Sequence, residues 1–476
     1  MNNSNLSTDV IRFSKPQFSM AFVAAVFFSL ILAHSSTSAY AQAEKNSTAQ
    51  AKLVALTETS TPSRWTQFRG IGNGKASASA KPPVQWGTQQ TAWEVDIPGT
   101  GWSSPVYKSN RAWMTSATTA TKGEEKINKS LGAFELANKK TTPTAVNLHA
   151  ICVDLESGEL VHNIKLATVD QPDSINSLNS YASPTPVISD GKVVCHFGSD
   201  GTWCLHEETG KTIWSKKFVV DHSVGAGSSP IVFENKVIIV CDGTDFQYIT
   251  AVDIDSSDEV WKTDRPPMRA SNLEHRKAFA TPLVIDFEGK KQVVIPGAQW
   301  IASYDPVTGQ ELWRVDHGSG FSVIPVPSFE DGRVIFSTGY PKPEFVAIDP
   351  RGSGDVTASH VIWRARNAPA MPSFIVEGGK IFSISDKGII YCSDAKTGAP
   401  LNRGRIGGNF SASPLLAGGN LYLCSREGKV TIVGCSVDLK TIGSQDLGAA
   451  IMASPILVDN DLVVRTEKKL VRIKAQ

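Results

Sequence analysis

Two cysteines and a histidine stand close together in the stretch from Cys195 to His206. Thiolate and imidazole are soft ligands, and Cys195, Cys204 and His206 together could fill three of the four positions around a tetrahedral zinc ion. The two thiols could instead close a cross-strand disulfide. Both readings need a hairpin that turns symmetrically at Ser199-Asp200. Cys195 then faces Cys204, and His206 shares the face of Cys204 because side chains alternate along a strand. The plain alternative is two small side chains buried in a sheet, a common place for cysteine.

Four other places carry polar chemistry. In Asp221-His222-Ser223-Val224-Gly225, a histidine with a preceding acid could move protons. Asp242-Gly243-Thr244-Asp245 offers oxygen ligands from Asp242 and Asp245 to a cation, without the spacing of a calcium loop. Glu274-His275-Arg276-Lys277 is a charged loop that brings up Lys277. Trp102 and Phe410 precede serine-rich turns and could line a funnel or simply pack. Each of these also reads as an ordinary polar loop, the reading the sequence favours. No catalytic residue is assigned. No Gly-x-Ser-x-Gly elbow stands between a strand and a helix, and no phosphate-cradling loop occurs.

The elements that position these residues repeat. A short apolar strand begins at Pro105, Pro186, Pro230, Pro282, Pro327, Pro372, Pro414 and Pro455, with gaps of 81, 44, 52, 45, 45, 42 and 41 residues. Six of the seven gaps lie near the 40–50 residues of a four-stranded propeller blade. Within one unit, Pro186-Val187-Ile188, Lys192 to Phe197, Thr202 to His206 and Lys211 to Ser215 are β-rich runs separated by Gly and Asp turns. Trp214, Trp261, Trp313 and Trp363 fall on the outer strand of successive units. One indole buries on the order of 150–250 Å², which suits it to packing between blades. The last unit, from Pro455, has room for three strands only. Thr91 to Ile97, with Trp93 in the tryptophan position, can supply the fourth and leave no open edge. The sequence therefore predicts an all-β, eight-bladed propeller over residues 64–476. Its first blade carries an insertion near 118–146, and a further loop is expected at Gln171 to Ser180.

Forty-seven Lys and Arg against 46 Asp and Glu leave a net charge of +1, which excludes a general nucleic-acid binder. Arg12 and Lys15 precede an apolar run from Phe18 to Ala33, and Ala39-Tyr40-Ala41 offers a small-residue cleavage site. Residues 1–41 thus read as an export signal and 42–63, rich in Ala, Thr, Ser and Gln, as a flexible linker. The apolar run is shorter than the ~20 residues of a membrane-spanning helix. Seven cysteines, an odd count without any C-x-x-C pair, leave at least one thiol free.

The Asp-x-x-Thr-Gly turn followed by tryptophan, as in Asp305 to Trp313, resembles the quinoprotein-like (PQQ-like) propeller repeat family. The opening phrase Trp65-Thr66-Gln67-Phe68-Arg69-Gly70 resembles exported bacterial members related to the propeller subunit of the outer-membrane barrel-assembly machinery. The resemblance implies a periplasmic protein and two lines of function. One is a non-catalytic scaffold that binds a protein, peptide, glycan or small ligand on one face; within the same non-enzymatic branch, a further reading is a subunit of an envelope or outer-membrane protein assembly complex. The other is an oxidoreductase using pyrroloquinoline quinone and calcium. Such dehydrogenases carry adjacent cysteines and a Glu, Asn and Asp calcium set; this chain has no Cys-Cys pair, and that set matches no motif here. The first line is the leading expectation.

Overall fold

Asp190 and Gly191 both take positive φ, 46° and 73°, so the chain reverses in two residues between Val187–Ser189 and Lys192–His196. Such a turn matches the right-handed twist of the flanking strands, and glycine takes its second position without a Cβ penalty. Repetition of this local chemistry gives the whole molecule. The computed structural model describes residues 64–121 and 142–475, so the expected signal (1–41), the linker (42–63) and the middle of the expected insertion lie outside the described residues.

Eight antiparallel sheets follow one another along the chain. Blade 1 is Val106–Lys108, Arg111–Thr121, Ala145–Asp154 and Leu160–Asp170. Blade 2 continues from the two strands above through Thr202–His206 and Thr212–Lys216, and blade 3 runs from Ile231–Phe233 to Glu259–Asp264. Blades 4 to 7 begin at Leu283–Phe287, Ser328–Glu330, Ile375–Glu377 and Leu415–Ala417. Blade 4 gains a fifth, parallel strand at Gly354–Asp355. Blade 8 has Ile456–Val458, Asp461–Arg465 and Lys469–Ile473, and its outermost strand is Thr91–Asp96, antiparallel to Lys469–Ile473. The ring is closed by its N-terminal strand. No helix of the described residues is long and apolar enough to cross a membrane.

In blade 6 the slot before the first strand holds Phe374, where the other blades have proline; Pro372 lies two residues earlier. In blade 1 the second and third strands pair as far as Thr121 with Ala145, so the flanks of the expected insertion are sheet, with a register shift between Thr119 and Thr121.

Blades are joined in two layers. On the outside, each tryptophan sits over the aspartate turn of the next blade. The indole nitrogens of Trp93, Trp214 and Trp261 donate to the carbonyls of Leu155, Ile254 and Pro306, in each case the residue after the turn aspartate. Trp313 reaches the equivalent Pro350 through Gln292, which accepts from the indole at 2.8 Å and donates to the Pro350 carbonyl at 3.3 Å. Trp363 lies over Gly398. The turns are stiff because the aspartate gathers orphan amides: Asp305 Oδ1 accepts from the amides of Val307 and Thr308 and from the Thr308 hydroxyl. In Asp154 and Asp253 the same amides hold the carboxyl below its ordinary value.

On the inside, the residue two places before the first strand passes a hydrogen bond to the next blade at seven of the eight junctions. The amides of Ser104, Thr185 and Ser229 donate to the hydroxyls of Thr185, Ser229 and Thr281. Val326, Ser373, Ser413 and Ser454 donate in the same way to Ser373, Ser413, Ser454 and Ser104. The belt breaks only between Thr281 and Val326, because valine has no hydroxyl.

One end of the channel is filled. Trp65 bridges to Tyr107 of blade 1, and the Ile188 amide of blade 2 donates to the Thr66 carbonyl. Asn73 donates to the Pro327 carbonyl, and the buried Arg69 donates to the carbonyls of Phe374 and Pro414. Lys75 meets Glu330 and Glu377 where first strands turn into second strands. Residues 65–76 therefore form a plug at that end. The opposite face carries the loops between blades and the turns between second and third strands.

Trp261 is buried in the core between blades 3 and 4, so Trp261→Ala should lower stability by about 3–5 kcal/mol, read as a drop in the denaturant midpoint. Gly309→Val should do comparable damage from the other side. Gly309 has φ +74°, and a Cβ there would stand 2.5 Å from the Trp261 ring.

Candidate functional site

The disulfide that the sequence left open between Cys195 and Cys204 does not form, and both are small side chains buried in the sheet, the plainer of the readings. The turn is not symmetric: a 3-10 turn at Gly198–Asp200 shifts the register by one residue, so Cys195 faces Trp203 and Cys204 faces Val194. A slip of one residue sends side chains to opposite faces of a sheet. Cys195 is buried between blades 1 and 2 and Cys204 between blades 2 and 3, where its thiol approaches the Ile254 carbonyl. His206 is exposed on the turn. All seven cysteines are free, and burial pushes the thiols of Cys204, Cys241 and Cys424 up to about 12.

The remaining polar candidates gather on the face opposite the plug, where all but His222 are paired off. Asp242 is fully buried beside Arg265, with Nε to Oδ1 at 3.2 Å. Arg265 also donates to the Tyr304 hydroxyl at 3.0 Å and to the Ile295 carbonyl at 3.0 Å. A Cβ at Gly297 would stand 2.1 Å from this guanidinium, so only glycine fits there. Burial pushes the Asp242 carboxyl up to about 6 despite the arginine. Asp245 points elsewhere: its Oδ1 accepts from the amides of Asp221 and Phe246 and so caps a loop. Asp242 and Asp245 therefore do not converge on a cation. The ammonium of Lys277 is buried against Glu274, which also accepts from the Ser223 hydroxyl. His275 stacks on Phe321 with centroids 4.2 Å apart.

His222 is buried near Phe279, and both its ring nitrogens lack a hydrogen-bond partner. Burial lowers its imidazole to about 4, which leaves it neutral at physiological pH. Trp102 is half-buried on the loop into blade 1, with its amide donating to the Ala182 carbonyl. Phe410 is 1% exposed and belongs to the core between blades 6 and 7.

Sequence reasoning missed Arg265, the counterion of Asp242, which lies 23 residues further on with no local signal. It also missed Asp173, Asp200 and His317. Asp200 had one usable sign: the run Gly198-Ser199-Asp200-Gly201 is longer than a two-residue hairpin needs.

Pyrroloquinoline quinone with calcium is the cofactor that the resemblance implies, and the residues present do not fit it. The chain has no adjacent cysteines. Among the described residues, no three His, Cys, Asp or Glu side chains converge as a metal site. Asp242 and Glu274 already serve internal cations.

His317 donates from Nε2 to the Gly297 carbonyl at 2.9 Å, leaves Nδ1 unpartnered, and is lowered by burial to about 4. A depressed histidine pKa contributes stability above the unfolded value near 6.5, and that contribution is lost as pH falls toward 4. The stability advantage of the native protein over His317→Gln should therefore shrink between pH 7 and pH 5, measured by urea unfolding at each pH.

No curated protein sequence matches the chain. Among solved structures, BamB from Moraxella catarrhalis superposes with a TM-score of 0.51 at 16% identity, covering 69% of this chain and 94% of that one. A europium-containing methanol dehydrogenase gives 0.61 at 12% identity, covering 85% and 89%. The quinohemoprotein alcohol dehydrogenase from Comamonas testosteroni gives 0.58 at 12% identity, covering 89% and 83%. At these identities the likeness is one of fold. A family model described as outer membrane protein assembly factor BamB matches residues 147–296 and 347–441, more than half of the chain. The chain belongs to that family of PQQ-like propellers.

Proposed function

We propose that this protein is an exported, non-catalytic propeller that binds a partner on the face opposite its N-terminal plug. The observation that carries the reading is the internal pairing of the charged loops there. Asp242 with Arg265 and Glu274 with Lys277 fix the loops as a rigid frame, and neither pair is poised for a substrate. Rigid blades displaying loops of differing sequence are suited to recognition. The family description, outer membrane protein assembly, favours a protein partner and the periplasm. The apolar run from Phe18 to Ala33 after Arg12 and Lys15 supports export. The second and third strands of blade 1 are longer than those of the other blades, and the sequence between them departs most from the repeat, which makes that insertion the first candidate for choosing the partner.

The dehydrogenase-like fold keeps a second reading testable. Titration of the purified protein with pyrroloquinoline quinone and calcium should produce no saturable absorbance change and no dye reduction with alcohols or sugars. Saturable binding with turnover would replace the scaffold reading by the oxidoreductase one.

A further inference from the structure

Three loops on the same face enclose a cleft at the junction of blades 2 and 3. Its lining includes Asp173 and Tyr181 from the loop after blade 1, Asp200 from the turn within blade 2, and His222 from the loop after blade 2. Ile175 and Phe197 supply apolar wall. The Tyr181 hydroxyl donates to the Asp173 carbonyl at 2.7 Å, which ties the lip of the cleft to its side.

The charges here are arranged unlike those elsewhere on this face. Asp242 and Glu274 each have a buried cation at contact distance. No described residue donates a hydrogen bond to the side-chain carboxylate of Asp173 or Asp200 or forms an ion pair with it. Asp173 adds to the negative field at Asp200, and Asp221 to that at Asp173. Lys217, which is exposed, acts on Asp200 only through space. Beside them is His222, 6% exposed, with neither ring nitrogen partnered. An unpaired buried imidazole costs free energy unless something bonds to it. Being neutral, it presents a lone pair and adds no repulsion to an incoming cation.

We propose that this cleft binds a protonated amine or guanidinium, held by Asp173 and Asp200 and hydrogen-bonded to His222, with its alkyl stem along Ile175 and Tyr181. An organic cation fits better than a metal ion, because no three ligating groups converge among the described residues. A guanidinium has five N–H donors in a fixed fork, enough to serve two carboxylates and one imidazole together. The source of the cation is a free ligand or the side chain of a bound peptide. The inference rests on the reading above only in treating this face as the binding face.

The test is calorimetric titration of the full chain with three probes: acetylarginine amide, a pentapeptide with one central arginine and blocked ends, and calcium chloride. Saturable binding of an arginine probe is expected, with affinity lowered at least about tenfold by Asp200→Asn and reduced by added salt. Tighter binding of the peptide would identify a peptide side chain as the source, and equal binding a free ligand. Asp173→Asn, at the exposed lip, provides the same readout should Asp200→Asn fail to fold. Absence of binding by both arginine probes, unchanged affinity in the folded variants, or binding of calcium alone would overturn the proposal. The quinone titration shares no ligand with this experiment, so failure here leaves the scaffold reading standing.

Discussion

The contact on which this molecule depends is an indole resting on its neighbour's aspartate turn. A four-stranded sheet has two apolar faces and covers neither by itself. Each blade is stable only between two others, and a linear array would leave two faces bare. Trp214 on Ile254 and Trp261 on Pro306 repeat the same solution around the ring. Trp93 on Leu155 is the decisive instance, because it joins the last blade to the first. Its strand, Thr91–Asp96, comes from the other end of the sequence, so chain closure and blade docking are one event.

The inner belt of hydroxyls serves a different purpose. Near the axis the blades are too close for large side chains, and backbone amides there lose water. Serine and threonine return a partner to each amide at little volume. Together the two layers make a stiff disc whose ends differ. One end is occupied by residues 65–76, with Arg69 bonded to the carbonyls of blades 6 and 7. The other presents loops whose charges are mostly spoken for, apart from the aspartates and the histidine between blades 2 and 3. That asymmetry, more than the fold, directs attention to one face.

The period of the repeat, the glycine and aspartate turns and the tryptophans made the propeller legible in the sequence, because each is a local signal with one geometric meaning. Closure by Thr91–Asp96 was legible because the final unit lacked a strand. Side-chain constellations fared differently. Whether Cys195 meets Cys204 depends on a single extra residue in a turn, and the alternation of a strand turns that residue into opposite faces. Phe374 in the proline slot was hidden because Pro372 stood nearby as a decoy. Arg265 reaches Asp242, and Arg69 reaches the carbonyls of Phe374 and Pro414, through the assembled ring; no spacing in the chain announces either. The cleft of Asp173, Asp200 and His222 likewise exists only once three separate loops are brought together.

Closure of the ring is tested most directly by amide hydrogen exchange over Thr91–Asp96 and Lys469–Ile473, compared with the inner strands of blade 8. The paired arrangement predicts that the two segments are protected together, well above the level of surface loops, and that they exchange as one unit with the rest of the blade. Rapid exchange of Thr91–Asp96 alongside protected inner strands would mean that the last blade ends in an open edge, and the account of a closed, mutually buried ring would be wrong.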